Sequence, residues 1–196
     1  MTKKIVLASS NVGKLNEFQI LLSNCGLDVV PQSEFSVPDV EETGLSFVEN
    51  AILKARNASK YSGLPALADD SGIEVDALNG APGIYSARFS GDGSTDERNN
   101  AKLLEQLSGL PKSQRSARYQ CILVYMQHAE DPTPLICQGS WEGHILSAPI
   151  GTNGFGYDPL FFVPTHNCSS AQLSKDVKNS ISHRAIAMQK LLKELT

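Results

Sequence analysis

The chain has 196 residues, enough for one large domain or for two lobes on a shared core. With 41% hydrophobic residues and a formal net charge of −4 it reads as a soluble globular protein, and it lacks the global basic field that nucleic acid or an anionic membrane would select. No apolar run nears the roughly 18 residues of a membrane span, the four apolar residues after Met1-Thr2-Lys3-Lys4 are too few for a signal peptide, and Cys25, Cys121, Cys137 and Cys168 show no C-x-x-C spacing, which disfavours zinc and points to reduced thiols in the cytoplasm.

Ile5-Val6-Leu7-Ala8 predicts a central strand, and Leu15, Phe18, Leu21 and Leu22 mark one face of the helix that follows. Cys25-Gly26 stops that helix, and Leu27-Asp28-Val29-Val30 starts a second strand. Strand, polar loop, helix, strand is a βαβ unit, which argues for parallel pairing. The loop Ser9-Ser10-Asn11-Val12-Gly13-Lys14 leads into a helix N-terminus, where free N–H groups and the helix dipole both favour an anion. Lys14 adds a mobile charge. The loop is not a Walker A sequence, because Leu15 follows Lys14 and the first glycine is missing. An ordinary helix cap stays open as the alternative.

Residues 31–43 are polar and carry Asp39, Glu41 and Glu42. Ser46-Phe47-Val48-Glu49 has the pattern of a capping box, and Val48, Ala51, Ile52 and Ala55 form an apolar stripe behind it. Lys54 and Arg56 close this helix, and Gly63 ends the segment. Glu41 and Glu42 thus precede a helix, as solvated loop residues or as metal ligands.

The run Leu64-Pro65-Ala66-Leu67-Ala68 predicts a short buried strand that breaks at Ser71-Gly72, leaving Asp69 and Asp70 at its end. Side chains alternate along a strand, so one acid can face a ligand while the other faces the scaffold. Carboxylates with no cation beside them in sequence suit two jobs, holding a hard metal ion or taking a proton from water. A surface turn is the competing account.

Ile73-Glu74-Val75-Asp76-Ala77-Leu78 alternates as a half-buried strand, and Asn79-Gly80 turns the chain. Thr95 caps a helix carrying Ala101, Leu103, Leu104 and Leu107, whose pattern is structural. Residues 118–126 predict the longest strand. Leu135-Ile136-Cys137 and residues 141–146 predict two more, in an antiparallel extension. Three glycines bracket two aromatics in Gly154-Phe155-Gly156-Tyr157-Asp158-Pro159 and the residues just before it, a bend suited to stacking on a flat ring or to pinning a loop on the core. Leu160-Phe161-Phe162-Val163 is core. The tail carries Lys175, Lys178, His183 and Arg184, with a helix whose apolar face is Ile181, Ala185, Met188, Leu192 and Leu195.

Taken together, these stretches resemble the inosine triphosphate pyrophosphatase family, also called HAM1-like or non-standard purine nucleoside triphosphatases. Ser9 to Lys14, Glu41-Glu42-Thr43-Gly44, Glu49-Asn50-Ala51, Ala68-Asp69-Asp70-Ser71-Gly72, Pro82-Gly83-Ile84-Tyr85-Ser86-Ala87-Arg88, Gly154 to Pro159 and Ser182-His183-Arg184 run in family order along nearly the whole chain. The bacterial RdgB-type dITP/XTP branch is the nearest likeness. The resemblance implies an α/β fold, a single domain over residues 1–196 whose two lobes share an elongated mixed sheet flanked by helices, with the nucleotide in the cleft between lobes, and a cytoplasmic homodimer. It implies Mg²⁺-dependent cleavage of ITP, dITP, XTP or dXTP between the α- and β-phosphates, clearing deaminated purines from the nucleotide pool, with neither nucleic acid nor membrane as partner.

By the same resemblance Ser9, Ser10, Asn11, Val12, Gly13 and Lys14 hold the triphosphate, and Asp70 accepts the proton of the attacking water, with Asp69 as the next candidate. Glu41 or Glu42 joins Asp70 at the metal. Ser71, Phe155, Gly156, Tyr157, Asp158, Lys178, His183 and Arg184 contact the nucleoside. The family loop reads Thr-Gly or Thr-His where this chain has Ser9-Ser10. The opening Leu7-Ala8-Ser9-Ser10 also resembles the Maf-type pyrophosphatases, but those continue Pro-Arg-Arg where this chain has Val12-Gly13-Lys14. A nucleotide-binding regulator without turnover would keep the loops yet could lack the four acids present here.

Overall fold

The structure, a computed structural model, describes residues 3–9, 12–22 and 26–195. In chain order it runs β1 (Lys3–Leu7), α1 (Val12–Leu22), β2 (Leu27–Pro31), α2 (Phe47–Ser62), β3 (Ala66–Val75), α3 (Asp96–Gln106), β4 (Ser116–Met126), β5 (Leu135–Ile145), β6 (Phe161–Val163), β7 (Cys168–Ser169), α4 (Lys175–Ile181) and α5 (His183–Leu195). The strands form one mixed seven-stranded sheet in the order β2-β1-β3-β4-β5-β6-β7. β1 pairs in parallel with β2, as the βαβ pattern predicts, and also with β3, whereas β5–β6 and β6–β7 are antiparallel. Among the described residues no helix is long and apolar enough to cross a membrane.

The chain divides into two compact units. The first takes residues through Asp70, Cys121–Gly139 and the stretch from Arg184 on; the second takes Ser71–Gln120 and Ser140–His183. In the first unit strict strand alternation sorts the core. Ile5, Leu7, Leu67, Cys121, Leu123 and Tyr125 face Phe18 and Leu22 of α1 and Ala187, Met188 and Leu191 of α5. Val6, Ala8, Ala66, Ala68, Ile122, Val124 and Met126 face Ala51, Ala55 and Ala58 of α2. Burying each large side chain is worth about 1.5–3 kcal/mol, so this two-sided pattern fixes the strand register. The second unit is built on Ile73, Val75, Tyr119, Trp141, Ile145, Phe161 and Val163, closed by Leu103 of α3 and by Leu107 just after that helix.

Four sequence expectations are corrected. Asp69 and Asp70 do not end a strand, because β3 continues through Ser71-Gly72 to Val75. The strand expected over 73–78 is therefore its second half, followed by a 3-10 turn, Asp76–Leu78. Turn propensity yields here to a central position between β1 and β4. The two strands expected in 135–146 are one, β5, in which Gly143 packs so closely on Phe161 and Phe162 that a Cβ would collide with them. The tail holds two helices, broken at Ser182, so Ile181 belongs to α4 and not to the stripe of α5. α2 does not close at Lys54 and Arg56 but runs to Ser62, and Gly63, the expected end of the segment, caps it at φ +67°.

Candidate active site

α2 begins where the sequence places it. The Ser46 side chain accepts from the Glu49 N–H at 3.4 Å, and Glu49 Oε2 in return accepts from the Ser46 hydroxyl at 2.7 Å and the Leu45 N–H at 3.0 Å. One turn on, the buried Asn50 takes the Gly44 N–H on its Oδ1 at 2.8 Å. A Cβ on Gly44 would lie 2.6 Å from the Glu49 Cβ. The acidic loop is thereby held against α2, and Glu42 rather than Glu41 comes to the helix: Glu41 is exposed, while Glu42 Oε1 lies 2.9 Å from Lys54 Nζ.

Lys54 also donates to Asp70 Oδ1 at 2.7 Å. Its ammonium group thus stands between two carboxylates from separate segments. Asp70 Oδ2 is buried and has no hydrogen-bond partner among the described residues. Burial pushes the Asp70 pKa up, Lys54 opposes that, and Glu42 reinforces it; the net direction is upward. For Lys54, burial works against the charge, but Asp70, Asp69 and Glu42 together raise its pKa, so it stays cationic. Lys54 is not among the residues that the sequence motifs single out. Its signal was its position, three residues after Ala51 on the stripe that Ala55 and Ala58 continue, where a lysine needs a partner.

Alternation sends Asp69 to the other sheet face. It is almost wholly buried, pairs with Lys14 of α1, and accepts from Arg184 Nε of α5 and the Cys121 thiol, each at 3.2 Å. Burial alone would raise its pKa, but Lys14 and Arg184 hold it far below the usual carboxylate range. A carboxylate so charged and so enclosed is a structural anion rather than a base. Burial and the Asp69 charge together push the Cys121 thiol well up, so it stays protonated. Lys14 remains partly open at the start of α1, whose first-turn N–H groups have no intrahelical partner. Ser9 is half-buried, and its N–H donates to the Leu7 carbonyl at 2.9 Å. Val12 and Gly13 open α1. Ser10 and Asn11 lie outside the described residues.

In the second unit Asp158 is the organising group. It is buried, pairs with Lys178 of α4, and accepts from the Phe155 N–H at 3.0 Å, the Ser170 hydroxyl at 2.9 Å and the Tyr119 hydroxyl at 3.3 Å. Lys178 Nζ lies 5.1 Å from the Phe155 ring centroid, within cation–π range. Gly154 at φ +79° lies so close to the Asp158 carboxylate that no Cβ fits. Of the two aromatics expected to stack, Phe155 is 40% exposed, whereas Tyr157 is 4% exposed and donates its hydroxyl to the Ser86 carbonyl at 2.8 Å. Tyr157 therefore anchors the loop and Phe155 is its presented ring. His183 is buried, stacked on Tyr119 with centroids 4.7 Å apart and planes 10° from parallel. Ser71 opens this unit, half-buried on β3. Lys178, His183 and Arg184, grouped by the sequence, are thus held by three different partners: Asp158, an aromatic stack and Asp69.

A hard divalent ion takes oxygen ligands and, for Mg²⁺, usually only one or two carboxylates beside waters and substrate phosphates. Among the described residues no three His, Cys, Asp or Glu side chains converge as a cage. The pair Glu42 and Asp70, with one unpartnered carboxylate oxygen and a cation already between them, fits such an ion.

Residues 5–194 match the Ham1 family. The chain is 58% identical over 193 residues to a dITP/XTP pyrophosphatase of Vibrio cholerae, covering 98% of this chain and 96% of that one. It is 57% identical to a dITP/XTP pyrophosphatase of Escherichia coli strain K12, with 98% of each covered. A HAM1 protein structure from Coxiella burnetii superposes with TM-score 0.93 at 52% identity, and the Staphylococcus aureus Ham1 protein with 0.88 at 43%, each over 98% of both chains. With almost every residue inside the match, the chain belongs to the Ham1 family.

Proposed function

We propose that this protein is a nucleoside triphosphate pyrophosphatase that hydrolyses non-standard purine triphosphates, dITP and XTP foremost, to the monophosphate and pyrophosphate. The first unit carries the phosphate chemistry and the second the base recognition. The observation that carries the reading is Asp70: a buried carboxylate with raised pKa, one oxygen held by Lys54 and the other without a partner among the described residues. Relatives named dITP/XTP pyrophosphatase support the substrate class.

Water attacks the α-phosphorus, the bond between that phosphorus and the α,β-bridging oxygen breaks, and pyrophosphate leaves with the bridging oxygen. Asp70 Oδ2 takes the proton of the attacking water; its raised pKa makes it a better base than an exposed aspartate. Lys54 fixes Asp70 through Oδ1, so the accepting oxygen does not rotate away. Lys14 and the first-turn N–H groups of α1 bind the phosphates and offset the charge of the leaving group. Glu42 and Asp70 are the residues that would hold Mg²⁺, which when bound supplies charge neutralisation on the phosphates and polarises nearby oxygens. Phe155 stacks on the purine, with Lys178 against its ring. The homodimer and the cytoplasmic location expected from the sequence belong to the same proposal, and sedimentation equilibrium tests the first.

Incubation with dITP and Mg²⁺ followed by anion-exchange separation of products tests the bond cleaved. dIMP and pyrophosphate are expected. dIDP and orthophosphate, or no turnover at all, would overturn the proposal.

A further inference from the structure

The helix α3 carries an assignment that its sequence conceals. A cavity of about 410 Å³ lies between its first half and residues 151–156, so side-chain packing alone does not seat that stretch of the loop. Two hydrogen bonds cross to it instead. The Gly156 N–H donates to Asp96 Oδ2 at 2.6 Å, and the Gly156 carbonyl accepts from Asn100 Nδ2 at 2.9 Å. Asp96 and Asn100 are four residues apart, hence neighbours on one helix face. Asn100 keeps this bond although its own Oδ1 is buried without a partner among the described residues. Gly156 sits at φ +62°, a conformation that L side chains rarely adopt, directly between the exposed Phe155 and the buried Tyr157.

From this geometry we infer that Asp96 and Asn100 are positioning residues for base recognition: they grip the Gly156 backbone from both sides and so aim the Phe155 ring. The inference rests on the proposed stacking of Phe155 on the purine. Asn99, just before Asn100 on the same helix, serves the same end from another side, since its Nδ2 donates to the Ala87 carbonyl at 3.1 Å, close to the Ser86 carbonyl that receives the Tyr157 hydroxyl. The Tyr157 end is fixed by burial. The Phe155 end depends on Gly156, and on the Asp158 contacts to the Phe155 N–H.

The test compares wild type with Asp96→Ala, Asn100→Ala and Asp96→Asn, measuring kcat and KM for dITP and the inhibition constant of inorganic tripolyphosphate, a probe that has no base. Each alanine variant should raise the KM for dITP about tenfold, the scale of one hydrogen bond, with kcat within about threefold of wild type. Tripolyphosphate inhibition should stay unchanged. Asp96→Asn keeps an oxygen acceptor for the Gly156 N–H and should restore most of the lost affinity. Should Asp96→Ala fail to fold, Asn100→Ala carries the same comparison. An unchanged KM in the folded alanine variants, parallel loss of dITP and tripolyphosphate affinity, or an Asp96→Asn variant as impaired as Asp96→Ala would overturn the inference. A wild-type protein that does not cleave dITP would instead overturn the proposed function, before any variant is compared.

Discussion

Replacing Lys54 by methionine keeps much of the side-chain volume and removes the cation that Asp70 and Glu42 share. The side chains of Lys54 and Asp70 are 15% and 10% exposed, so solvent replaces little of the lost interaction. Breaking a buried pair from one side costs about 3–5 kcal/mol, and the residual exposure places this one near 3 kcal/mol at pH 8. Protonation of the stranded carboxylate limits the cost. From an unfolded pKa near 3.9, neutralising Asp70 costs about 1.5 kcal/mol at pH 5, against more than 5 kcal/mol at pH 8. The sign follows from linkage: a carboxylate whose folded pKa lies above its unfolded value is most favourable to folding below the unfolded value, and that contribution is lost as pH rises through the folded pKa. Lys54→Met raises the folded pKa further and so deepens the loss. For a chain of this length 1 kcal/mol corresponds to about 2–4 °C. Calorimetry should therefore show a drop of about 6–12 °C at pH 8 and roughly half that at pH 5. Equal drops at both pH values would mean lost packing rather than lost charge, and would refute the reasoning.

Three further outcomes follow from the same geometry. Asp70→Asn should lower turnover by about 10²–10⁴-fold while leaving metal-free nucleotide binding nearly unchanged; normal turnover would remove Asp70 as the base. Asp69 has a depressed folded pKa, so its stabilisation is present above about pH 4 and is lost as pH falls below it; Asp69→Asn should be destabilised at neutral pH by about 3–5 kcal/mol in urea titrations and should show a shallower further loss in acid. Phe155→Ala should raise the KM for dITP about tenfold with little change in kcat, as expected when one base–aromatic contact is removed, whereas a loss confined to kcat would place the ring elsewhere in the reaction.

The first unit was legible in the sequence wherever its signals are local. The run Ile5 to Ala8, the helix face of Phe18 and Leu22, and the cap at Ser46 each specify their element without help from distant residues. β3 was not legible past Asp70, because Ser71-Gly72 has turn chemistry and only strand neighbours from elsewhere in the chain keep it extended. The motif names Asp69 and Asp70, but the cations that each one meets are not legible there. Asp69 and Asp70 are adjacent in sequence and part ways by alternation alone, one toward Lys14 and Arg184, the other toward Lys54 and Glu42. Lys54 looked like a helix end, and Asp96 and Asn100 like ordinary polar positions, because the groups they hold lie 16 to 60 residues away.

The central claim is that this protein splits non-standard purine triphosphates at the α,β bond. Pyrophosphate release measured side by side for dITP, XTP and dATP with Mg²⁺ tests it most directly. The account predicts kcat/KM for dITP and XTP well above that for dATP, as a preference for non-standard purines requires. Equal efficiency on dATP, or orthophosphate as the product in place of pyrophosphate, would contradict it.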